Sequence, residues 1–484
     1  MTRVDVAGHS VSTEHYIGGR RVGSAQTFED RSPIDGTLLA EVSRGDAATA
    51  DQALAAATEA FPAWAALGPE GRAAHLHRLA ELIDANVDRI AEVECLDMAM
   101  LERSLKARVI GRGARNFRAY ADLSVAYAER VWESNGTVNR VLRRPSGPAV
   151  VITPWNAPFM LSTWKTAPAL AAGCTVVLKP AEWSPLSCSM LFDLVDEAGF
   201  PPGVFNLVQG IGEEVGPALT ADPRVRRLSF TGSTDTARII GRAAADGIVP
   251  FTAELGGKNP LVVFADADLD LAAQKAALQY DDAGQVCLSG TRLLVEESVR
   301  DAFLERFHAR VDAHVLGDPR DEATTISPLI HADHLARVSG FVERARAAGD
   351  EIVRGGRQPV IGGLWYEPTL VYPASNESEI VQHEVFGPVL TLQTFATEDE
   401  AIALANSTRY GLSGIVFTGS AERAERVGRA IRAGTVWVNC FLVRDLTAPF
   451  GGVGWSGIGR EGGDYALDFY ADLETLQILD GSVS

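Results

Sequence analysis

The chain has 484 residues, of which 63 are acidic and 44 are basic, so its formal net charge is −19. That balance argues against nucleic acid or an anionic membrane as a main partner, and the hydrophobic and charged fractions of 46% and 22% exclude a disordered or collagen-like chain. The five cysteines form no CxxC pair, no apolar run reaches about 18 residues, and residues 1–15 lack a signal-peptide core. These features predict a soluble, cytoplasmic protein.

The N-terminal part of the chain contains two predicted helices. Residues 1–15 are typical of a short polar tail, and Tyr16–Gly19 indicates a strand followed by a turn. Apolar residues that recur with a period of about 3.6 predict one long helix over 73–97, and a second helix is predicted over 109–129. Residues 136–144 alternate β-branched with basic side chains, which predicts an exposed hairpin arm.

From Pro148 onward, short apolar runs alternate with helical patterns. In the first block, strands are predicted at 149–152, 175–178, 205–208 and 227–230, with helices between them. A second block begins near Glu254, and its strands are predicted at 261–264, 292–295, 389–394, 414–417 and 436–438. This alternation indicates parallel sheets, which bind ligands at the carboxyl ends of their strands. The predicted fold class is α/β, with two domains and a small β appendage that includes a late strand at 472–479.

Two residues of the second block could carry chemistry. Cys287 lies in the glycine-rich segment Gly284–Gly290, where a thiolate could attack a carbonyl carbon. Free cysteines are often buried, so the segment by itself fits a structural cysteine better. Glu254 follows the apolar run 248–253 at the carboxyl end of a predicted strand, where it could act as a general base or be an ordinary strand-end charge.

Polar groups also follow the predicted strands of the first block. Asn156 lies in a proline-flanked turn, which can hold an amide toward an oxyanion but is also a common turn former. Lys179 and Glu182 could bind ribose hydroxyls, and an acid there favours NAD over NADP. The segment 210–216 is GxGxxxG, one residue off the dinucleotide fingerprint, and the turn at 230–234 could place a pyrophosphate at a helix N-terminus.

Metal and hydrolase sites are not predicted. The sequence contains no HExxH and no GxSxG motif. His331 and His334 are close in sequence, but they lie in a helix-like segment with no cysteine or carboxylate cluster nearby. His75 and His77 lie on different faces of a helix.

Taken together, these segments resemble the aldehyde dehydrogenase superfamily over nearly the whole chain. Both the order of the motifs and the separation of Glu254 from Cys287 fit that family. The matching segments are Tyr16–Gly19, Thr153–Asn156, Thr163–Lys165, Pro168–Leu170, Lys179–Glu182, Phe230–Thr234, Glu254–Pro260, Gly284–Cys287, Glu384–Pro388 and Pro449–Gly452.

The resemblance implies an NAD-dependent oxidation of an aldehyde to a carboxylic acid. Cys287 would attack the aldehyde, and the Asn156 amide with the Cys287 backbone N–H would hold the oxyanion. Glu254 would activate the water that releases the acid, and Lys165 and Glu461 are candidates for a proton path. Cofactor contacts are implied for Thr153, Trp155, Lys179, Glu182, Gly212, Gly216, Gly232, Ser233, Glu384 and Phe386.

The same resemblance implies two doubly wound parallel-sheet domains. Residues 1–130 and 146–253 would form the NAD-binding domain, and 254–463 would form the catalytic domain. Residues 131–145 and 464–484 would form an oligomerisation arm that pairs across subunits in a homodimer or homotetramer. A small-molecule aldehyde is the other expected partner.

Three departures from the commonest family pattern resemble the 2-hydroxymuconic and 2-aminomuconic semialdehyde dehydrogenases. They are Ala237 in place of a second glycine, the loop 437–446, and Arg112 followed by Asn116–Arg118. In that branch, arginines at the positions of Arg112 and Arg444 hold the remote carboxylate of an unsaturated semialdehyde from aromatic ring cleavage, and an arginine fork suits a carboxylate.

Other interpretations stay open at this point. Arg444 could instead pair with Asp445 or another neighbouring acid, and Arg112 could lie on an outer helix face. The segments Val109–Gly111 and Asp281–Ala283 also depart from the familial pattern, so a neutral aromatic or aliphatic aldehyde is the alternative substrate. A non-catalytic relative is a third, remote interpretation.

Overall fold

A computed structural model describes residues 2–479 of the chain. The described part begins with three antiparallel hairpins, formed by β1 (Arg3–Val6), β2 (His9–Ser12), β3 (His15–Ile17), β4 (Arg20–Val22), β5 (Thr27–Arg31) and β6 (Leu38–Ser43). The prediction of a polar tail before Tyr16 is therefore wrong. Val6 and Val11 are almost fully buried because they pack on the hydrophobic core, while the polar Arg3, Asp5 and Ser10 are exposed.

Helices follow these hairpins: α1 (Ala47–Ala66), α2 (Gly68–Ala85), α3 (Val87–Met98), the short α4 (Glu102–Ser104) and α5 (Ile110–Ala126), with a π-helical turn at Leu105–Val109. The prediction of one helix over 73–97 is wrong, because the chain leaves helical geometry at Asn86, whose side-chain Nδ2 donates to the Leu82 carbonyl at 2.8 Å. The predicted second helix is present as α5. A hairpin, β7 (Arg130–Ser134) and β8 (Thr137–Pro145), follows it.

The first large sheet contains the four strands predicted for the first block. Its central elements are β9 (Pro148–Ile152), α6 (Pro158–Ala172), β10 (Thr175–Lys179), α7 (Leu186–Glu197), β11 (Phe205–Leu207), α8 (Gly212–Thr220), β12 (Arg227–Thr231), α9 (Thr234–Gly247) and β13 (Phe251–Glu254). Strands β9 to β13 run parallel, and β3 and β4 extend one side of this eight-stranded sheet.

The second large sheet has seven strands and contains the five predicted for the second block. Its elements are β14 (Pro260–Val263), α10 (Leu269–Ala277), β15 (Arg292–Glu296), α11 (Arg300–Asp312), α12 (Ala332–Ala347), β16 (Glu351–Arg354), β17 (Thr369–Tyr372), α13 (Glu379–Gln382), β18 (Val389–Phe395), α14 (Glu398–Ala405), β19 (Ser413–Phe417), α15 (Ala421–Ala430) and β20 (Thr435–Val438). All neighbours pair in parallel except β16 with β17, two strands that the sequence pattern missed.

The last elements return to the first sheet and to the arm. They are β21 (Gly457–Ile458), which pairs with β13, α16 (Gly463–Phe469) and β22 (Ala471–Leu479). Strand β22 pairs with β8 of the same chain from Ala471 opposite Pro145 to Leu479 opposite Thr137, so the two segments of the predicted arm form one three-stranded sheet with β7. Pairing of this arm across subunits stays a prediction. Residues 480–484 of the predicted arm lie outside the described residues, and the domain boundaries stay predictions. Between residues 2 and 479, no helix is long and apolar enough to cross a membrane.

Candidate active site

Cys287 lies in a tight loop between a 3-10 turn and β15. The three residues before Gln285 all have positive φ, with values of 50°, 53° and 69° at Asp282, Ala283 and Gly284. A Cβ at Gly284 would come within 2.2 Å of the Gly387 carbonyl oxygen, so this position requires glycine. The loop leaves the Cys287 residue partly exposed, whereas Cys95, Cys174 and Cys188 are buried.

The surroundings of Cys287 keep its thiol protonated at neutral pH. Burial raises the pKa of the thiol to about 12, and the negative charges of Glu384 and Glu254 act in the same direction. The Arg444 guanidinium acts against them. Because the thiolate is the nucleophile, this thiol needs a base or a nearby cation before it can attack a carbonyl carbon.

These charges give a testable order of thiol reactivity. We expect Glu384→Gln to lower the pKa of Cys287 and Arg444→Met to raise it, and each pKa unit changes the thiolate fraction about tenfold near neutral pH. Alkylation of Cys287 by iodoacetamide, followed by peptide mass spectrometry from pH 6 to 10, should thus be faster in E384Q and slower in R444M than in the wild type. Alkylation of Cys440 in the same samples is the control, and identical Cys287 profiles would contradict the assignment.

Asn156 lies in the turn after β9, and its side chain faces the cysteine loop. Its Nδ2 donates to the Gln285 carbonyl at 2.9 Å, and Gln285 is fixed by a bond of 3.0 Å from the Ile330 backbone N–H to its Oε1. An amide nitrogen carries two hydrogens, so one remains for an oxyanion that forms beside Cys287.

Removal of this donor should slow the reaction without changing the thiol. We expect Asn156→Ala to lower kcat by about 10²–10³-fold, as loss of an oxyanion-hole donor does in other enzymes. Steady-state kinetics gives this value, and alkylation of Cys287 at matched pH serves as the control. A loss below about threefold would mean that Asn156 only fixes the loop through Gln285.

Glu254 is the last residue of β13 and is 5% exposed. Within residues 2–479, neither of its carboxylate oxygens has a hydrogen-bond partner, and a Cβ at Gly451 would lie 2.6 Å from Oε1. Burial raises the pKa of this carboxyl well above its usual range, and the charge of Glu461 adds to the effect, whereas Lys165 and Arg444 oppose it. A buried, unpaired carboxylate with a raised pKa is suited to accept a proton.

Lys165 and Glu461 form a buried ion pair near Glu254. Lys165 Nζ donates to Glu461 Oε1 and, at 3.1 Å, to Ser229 Oγ, while Trp164 Nε1 donates to Glu461 Oε2 at 2.6 Å. The charges of both Lys165 and Glu461 act on the pKa of Glu254. The predicted proton path therefore consists of groups that are neighbours, and its role in proton transfer stays a prediction.

The edge of the first sheet forms a cradle that fits a dinucleotide. Lys179 at the end of β10 donates to Glu182 Oε2 at 2.9 Å, and a Cβ at Gly212 would lie 3.6 Å from Lys179 Nζ. Burial tends to raise the pKa of Glu182, but the charge and hydrogen bond of Lys179 outweigh it and lower that pKa. An anionic carboxylate beside the N-terminus of α8 suits a ribose with an adjoining phosphate. Gly216 lies one helical turn further on, with open space around its Cα.

Other residues predicted to bind the cofactor lie along the same edge. Ser233 caps α9 and accepts from the Thr236 N–H at 3.1 Å, and the Gly232 N–H donates to the Glu254 carbonyl at 3.1 Å. The Thr153 hydroxyl is buried and bonds to Ser162 Oγ at 2.9 Å, and the Thr153 N–H donates to the Lys179 carbonyl at 3.1 Å, so neither group is free for a ligand.

Glu384 and Phe386 belong to residues 384–388, which we call the cofactor loop. Glu384 Oε1 accepts from the Gly257 N–H at 2.8 Å, and burial raises the pKa of this carboxyl to about 7. Phe386 has a φ of 61° and packs edge-on against Trp155, with ring centroids 5.4 Å apart. The structure thus places Trp155 beside the cofactor loop as well as beside Asn156.

Arg112 and Arg444 come from distant parts of the chain and lie side by side. Both guanidinium groups lie over the Trp164 ring, at 5.6 and 5.5 Å from its centroid, and Arg444 also lies 3.7 Å from the centre of the Phe450 ring. Burial lowers the pKa of Arg112 to about 10, and repulsion from Arg444 contributes. In the described part of the chain no carboxylate forms an ion pair with either group, and Arg112 Nε is buried without a partner.

This arrangement differs from the two structural alternatives for these arginines. Asp445 accepts from the backbone N–H and the hydroxyl of Thr447, at 2.9 and 2.8 Å, instead of pairing with Arg444. Arg112 is partly buried against Trp164 and does not lie on an outer helix face.

Two residues of α12 at the site were missed from the sequence. His334 Nε2 donates to the Phe386 carbonyl at 2.7 Å, and Arg337 Nη2 donates to the Glu384 carbonyl at 2.7 Å. From the sequence, His334 is interpreted only as a possible metal ligand. The available signal was its position on the buried face of a helix, which does not identify the loop it contacts.

Comparison with known proteins agrees with this geometry. Residues 21–476 match the aldehyde dehydrogenase family. The chain is 41% identical to a 2-hydroxymuconic semialdehyde dehydrogenase of Pseudomonas sp. (strain CF600), covering 96% of this chain and 98% of that protein, and 38% identical to a 2-aminomuconic semialdehyde dehydrogenase of Danio rerio, with the same coverage. A solved betaine aldehyde dehydrogenase from Staphylococcus aureus in complex with NAD+ superposes with a TM-score of 0.95 at 36% identity, covering 97% of this chain and 96% of that one.

The chain therefore belongs to the aldehyde dehydrogenase family. The prediction of that family from the motifs is confirmed, as is the predicted α/β fold. The similarity to the muconic semialdehyde dehydrogenases likewise agrees with the branch indicated by the departures in sequence.

Proposed function

We propose that this chain catalyses the NAD-dependent oxidation of a carboxylate-bearing semialdehyde, such as 2-hydroxymuconic semialdehyde, to the dicarboxylic acid. The observation that carries the choice of substrate is the pair formed by Arg112 and Arg444, two partly buried cations on one tryptophan ring. Among residues 2–479, no carboxylate forms an ion pair with either of them. Buried cations are normally paired, so an anionic ligand is the expected partner. The names of the two muconic semialdehyde relatives support the same class of substrate.

Cys287 performs the covalent step. The thiol loses its proton to solvent, which the nearby Arg444 guanidinium favours, and the thiolate forms a C–S bond with the aldehyde carbon. The resulting oxyanion is held by Asn156 Nδ2 and the Cys287 backbone N–H.

Bound NAD would supply the two-electron acceptor that takes the hydride of the aldehyde carbon. The residues proposed to hold it are Lys179 and Glu182 at one ribose, the turns at 212 and 232–233 at the phosphates, and Glu384 with Phe386 at the nicotinamide half. The NAD+ complexes of structural relatives support this assignment, and Glu182 supports NAD over NADP because its charge would repel a 2′-phosphate.

Glu254 then completes the reaction. It accepts a proton from water, which attacks the thioester carbon, the C–S bond breaks, and Cys287 leaves as the thiolate. The released proton can move toward the buried Lys165–Glu461 pair, whose charges already act on Glu254.

A panel of aldehydes tests this proposal. NADH formation would be followed by absorbance with NAD and 2-hydroxymuconic semialdehyde, benzaldehyde, betaine aldehyde or a short aliphatic aldehyde. The proposal predicts the highest kcat/KM for the muconic compound. A higher value for a neutral aldehyde would keep the mechanism and overturn the anionic substrate, and no NADH with any aldehyde would overturn the enzyme function itself.

We further propose that the chain forms a homodimer or homotetramer in the cytoplasm, with residues 254–463 as its catalytic domain. The outer strands of the arm, β7 and β22, carry exposed apolar side chains, among them Val131, Leu473 and Leu479. All five cysteines are free, which fits a reducing compartment. A sedimentation run that shows only the 51.7 kDa monomer would contradict the assembly.

A further inference from the structure

Three residues in the N-terminal half of α12 contact the cofactor loop. His334 donates to the Phe386 carbonyl and Arg337 to the Glu384 carbonyl, each at 2.7 Å. Val338 packs on Gly387, where an added Cβ would come within 2.6 Å of Val338 Cγ2. Residues three and four apart share one helix face, so a single face of α12 supports the whole cofactor loop.

The contact from His334 falls on the residue of that loop with a positive φ. Phe386 has a φ of 61°, which is uncommon for a residue with a side chain and persists only where its surroundings hold it. His334 is 5% exposed and packs against two aromatic rings that also contact each other, with its own ring centroid 5.1 Å from Trp155 and 6.0 Å from Phe386. The histidine therefore fixes both the backbone and the ring of Phe386.

The chain just before α12 also holds the cysteine loop. The Ile330 N–H donates to Gln285 Oε1 at 3.0 Å, and Gln285 in turn accepts from Asn156. The two loops meet where Gly284 packs on the Gly387 carbonyl. Residues 330–338 thus contact both the loop with the nucleophile and the loop assigned to the nicotinamide.

The neutral His334 ring donates a hydrogen bond to the Phe386 carbonyl through Nε2. A carbonyl oxygen can only accept, so Nε2 must carry the hydrogen. Burial lowers the pKa of His334 to about 4, so the ring stays neutral at working pH with its one proton on Nε2.

We infer that His334 is a positioning residue for hydride transfer: it holds the Phe386 carbonyl, and with it the cofactor loop, at the separation from Cys287 that the reaction needs. The inference rests on the proposed function, because it takes Glu384 and Phe386 as the residues against the nicotinamide. Its consequence is selective. Loss of the His334 donor should impair the step that needs the cofactor and spare the steps that need only Cys287, Asn156 and Glu254.

The test compares two substitutions that separate the hydrogen bond from the ring. His334→Phe keeps an aromatic ring but removes the donor, and His334→Gln keeps an N–H donor of similar reach. We expect H334F to lower kcat for aldehyde oxidation about 10–100-fold, because misplacement by about 1 Å costs that order, and H334Q to restore most of it. His77→Phe, at a partly exposed histidine that pairs with Asp122, is the matched control.

Two further readouts separate positioning from a general structural defect. Hydrolysis of p-nitrophenyl acetate without cofactor needs Cys287, Asn156 and Glu254 but no nicotinamide, and it should stay within about twofold of the wild type in H334F. The kinetic isotope effect with an aldehyde deuterated at its carbonyl carbon should rise, because hydride transfer becomes slower. The Kd for NADH, measured by protein fluorescence, should change less than kcat.

Equal losses of ester hydrolysis and aldehyde oxidation in H334F, or no loss of either, would overturn the inference. Failure of the proposed function has a different signature. If Phe386→Ala and Glu384→Gln leave aldehyde oxidation and NADH binding unchanged, the cofactor loop is misassigned whatever H334F shows.

Discussion

Replacement of Cys287 by alanine is expected to abolish both aldehyde oxidation and cofactor-free ester hydrolysis, with a loss of about 10⁴-fold or more. The reason is that no second nucleophile can substitute. Three of the other cysteines are buried, and burial raises the pKa of Cys95, Cys174 and Cys188 above the ordinary thiol value. NADH binding should persist, because the residues assigned to the cofactor remain.

The control for this prediction is Cys440→Ala. Cys440 is partly exposed and packs on the same hydrophobic cluster as Cys287, so it is the other cysteine that a substrate could reach. We expect C440A to keep activity within about threefold. If C440A is inactive while C287A still turns over, the nucleophile is misassigned.

Replacement of Glu254 by glutamine is expected to stop turnover after hydride transfer, at the thioester on Cys287. The amide has the shape of the carboxylate but cannot accept a proton, so water is not activated and the thioester on Cys287 accumulates. A rapid-mixing experiment should show a burst approaching one NADH per subunit followed by a rate at least about 10²-fold below the wild type. Intact-protein mass should increase by one acyl group.

The pH dependence of the wild type gives an independent check on Glu254. Thioester hydrolysis needs the carboxylate, whose fraction increases with pH, and burial with the charge of Glu461 raises its pKa well above the ordinary value. The acid limb of kcat should therefore lie well above pH 4.5, the ordinary value for this carboxyl, and disappear in E254Q. The exposed Glu297→Gln is the matched control, and linear NADH production by E254Q at the wild-type rate would exclude Glu254 as the base.

Much of the fold could be predicted because parallel strands are short and apolar. All nine strands predicted in the two blocks are present. Helix α1 was missed because its buried face is mostly alanine, and alanine does not produce a clear apolar stripe. Strands β1, β2 and β16 were missed because they have only four residues and at least one exposed side chain, which a pattern of side chains cannot separate from a loop. Strand β17 is almost wholly buried, and it was missed because it too has only four residues.

The site could be predicted where a motif carries its chemistry in adjacent residues. Glu254 and Lys179 are the last residues of buried strands. The carboxyl ends of parallel strands lie at one edge of the sheet, so the two residues are expected at the same edge. The contacts of His334 could not be predicted, because they join residues 334 and 386 through a carbonyl that has no sequence signature. The burial of the Thr153 hydroxyl on Ser162 has the same cause, since the direction of a side chain in a turn depends on its packing.

Comparison of an acid with its ester tests the proposal that Arg112 and Arg444 bind the remote carboxylate of the substrate. kcat/KM would be measured for a carboxylated semialdehyde and for its methyl ester in the wild type, R112M, R444M and the control R115M, at an exposed arginine of α5. Hydrogen bonds to charged groups contribute about 1.5–3 kcal/mol, so the ratio of kcat/KM for the acid to kcat/KM for the ester should fall roughly 10–150-fold in each site variant, while R115M leaves it unchanged. R444M should in addition lower both values, because loss of the guanidinium raises the pKa of Cys287. Equal losses on both substrates would contradict the claim and leave the two arginines with a structural role.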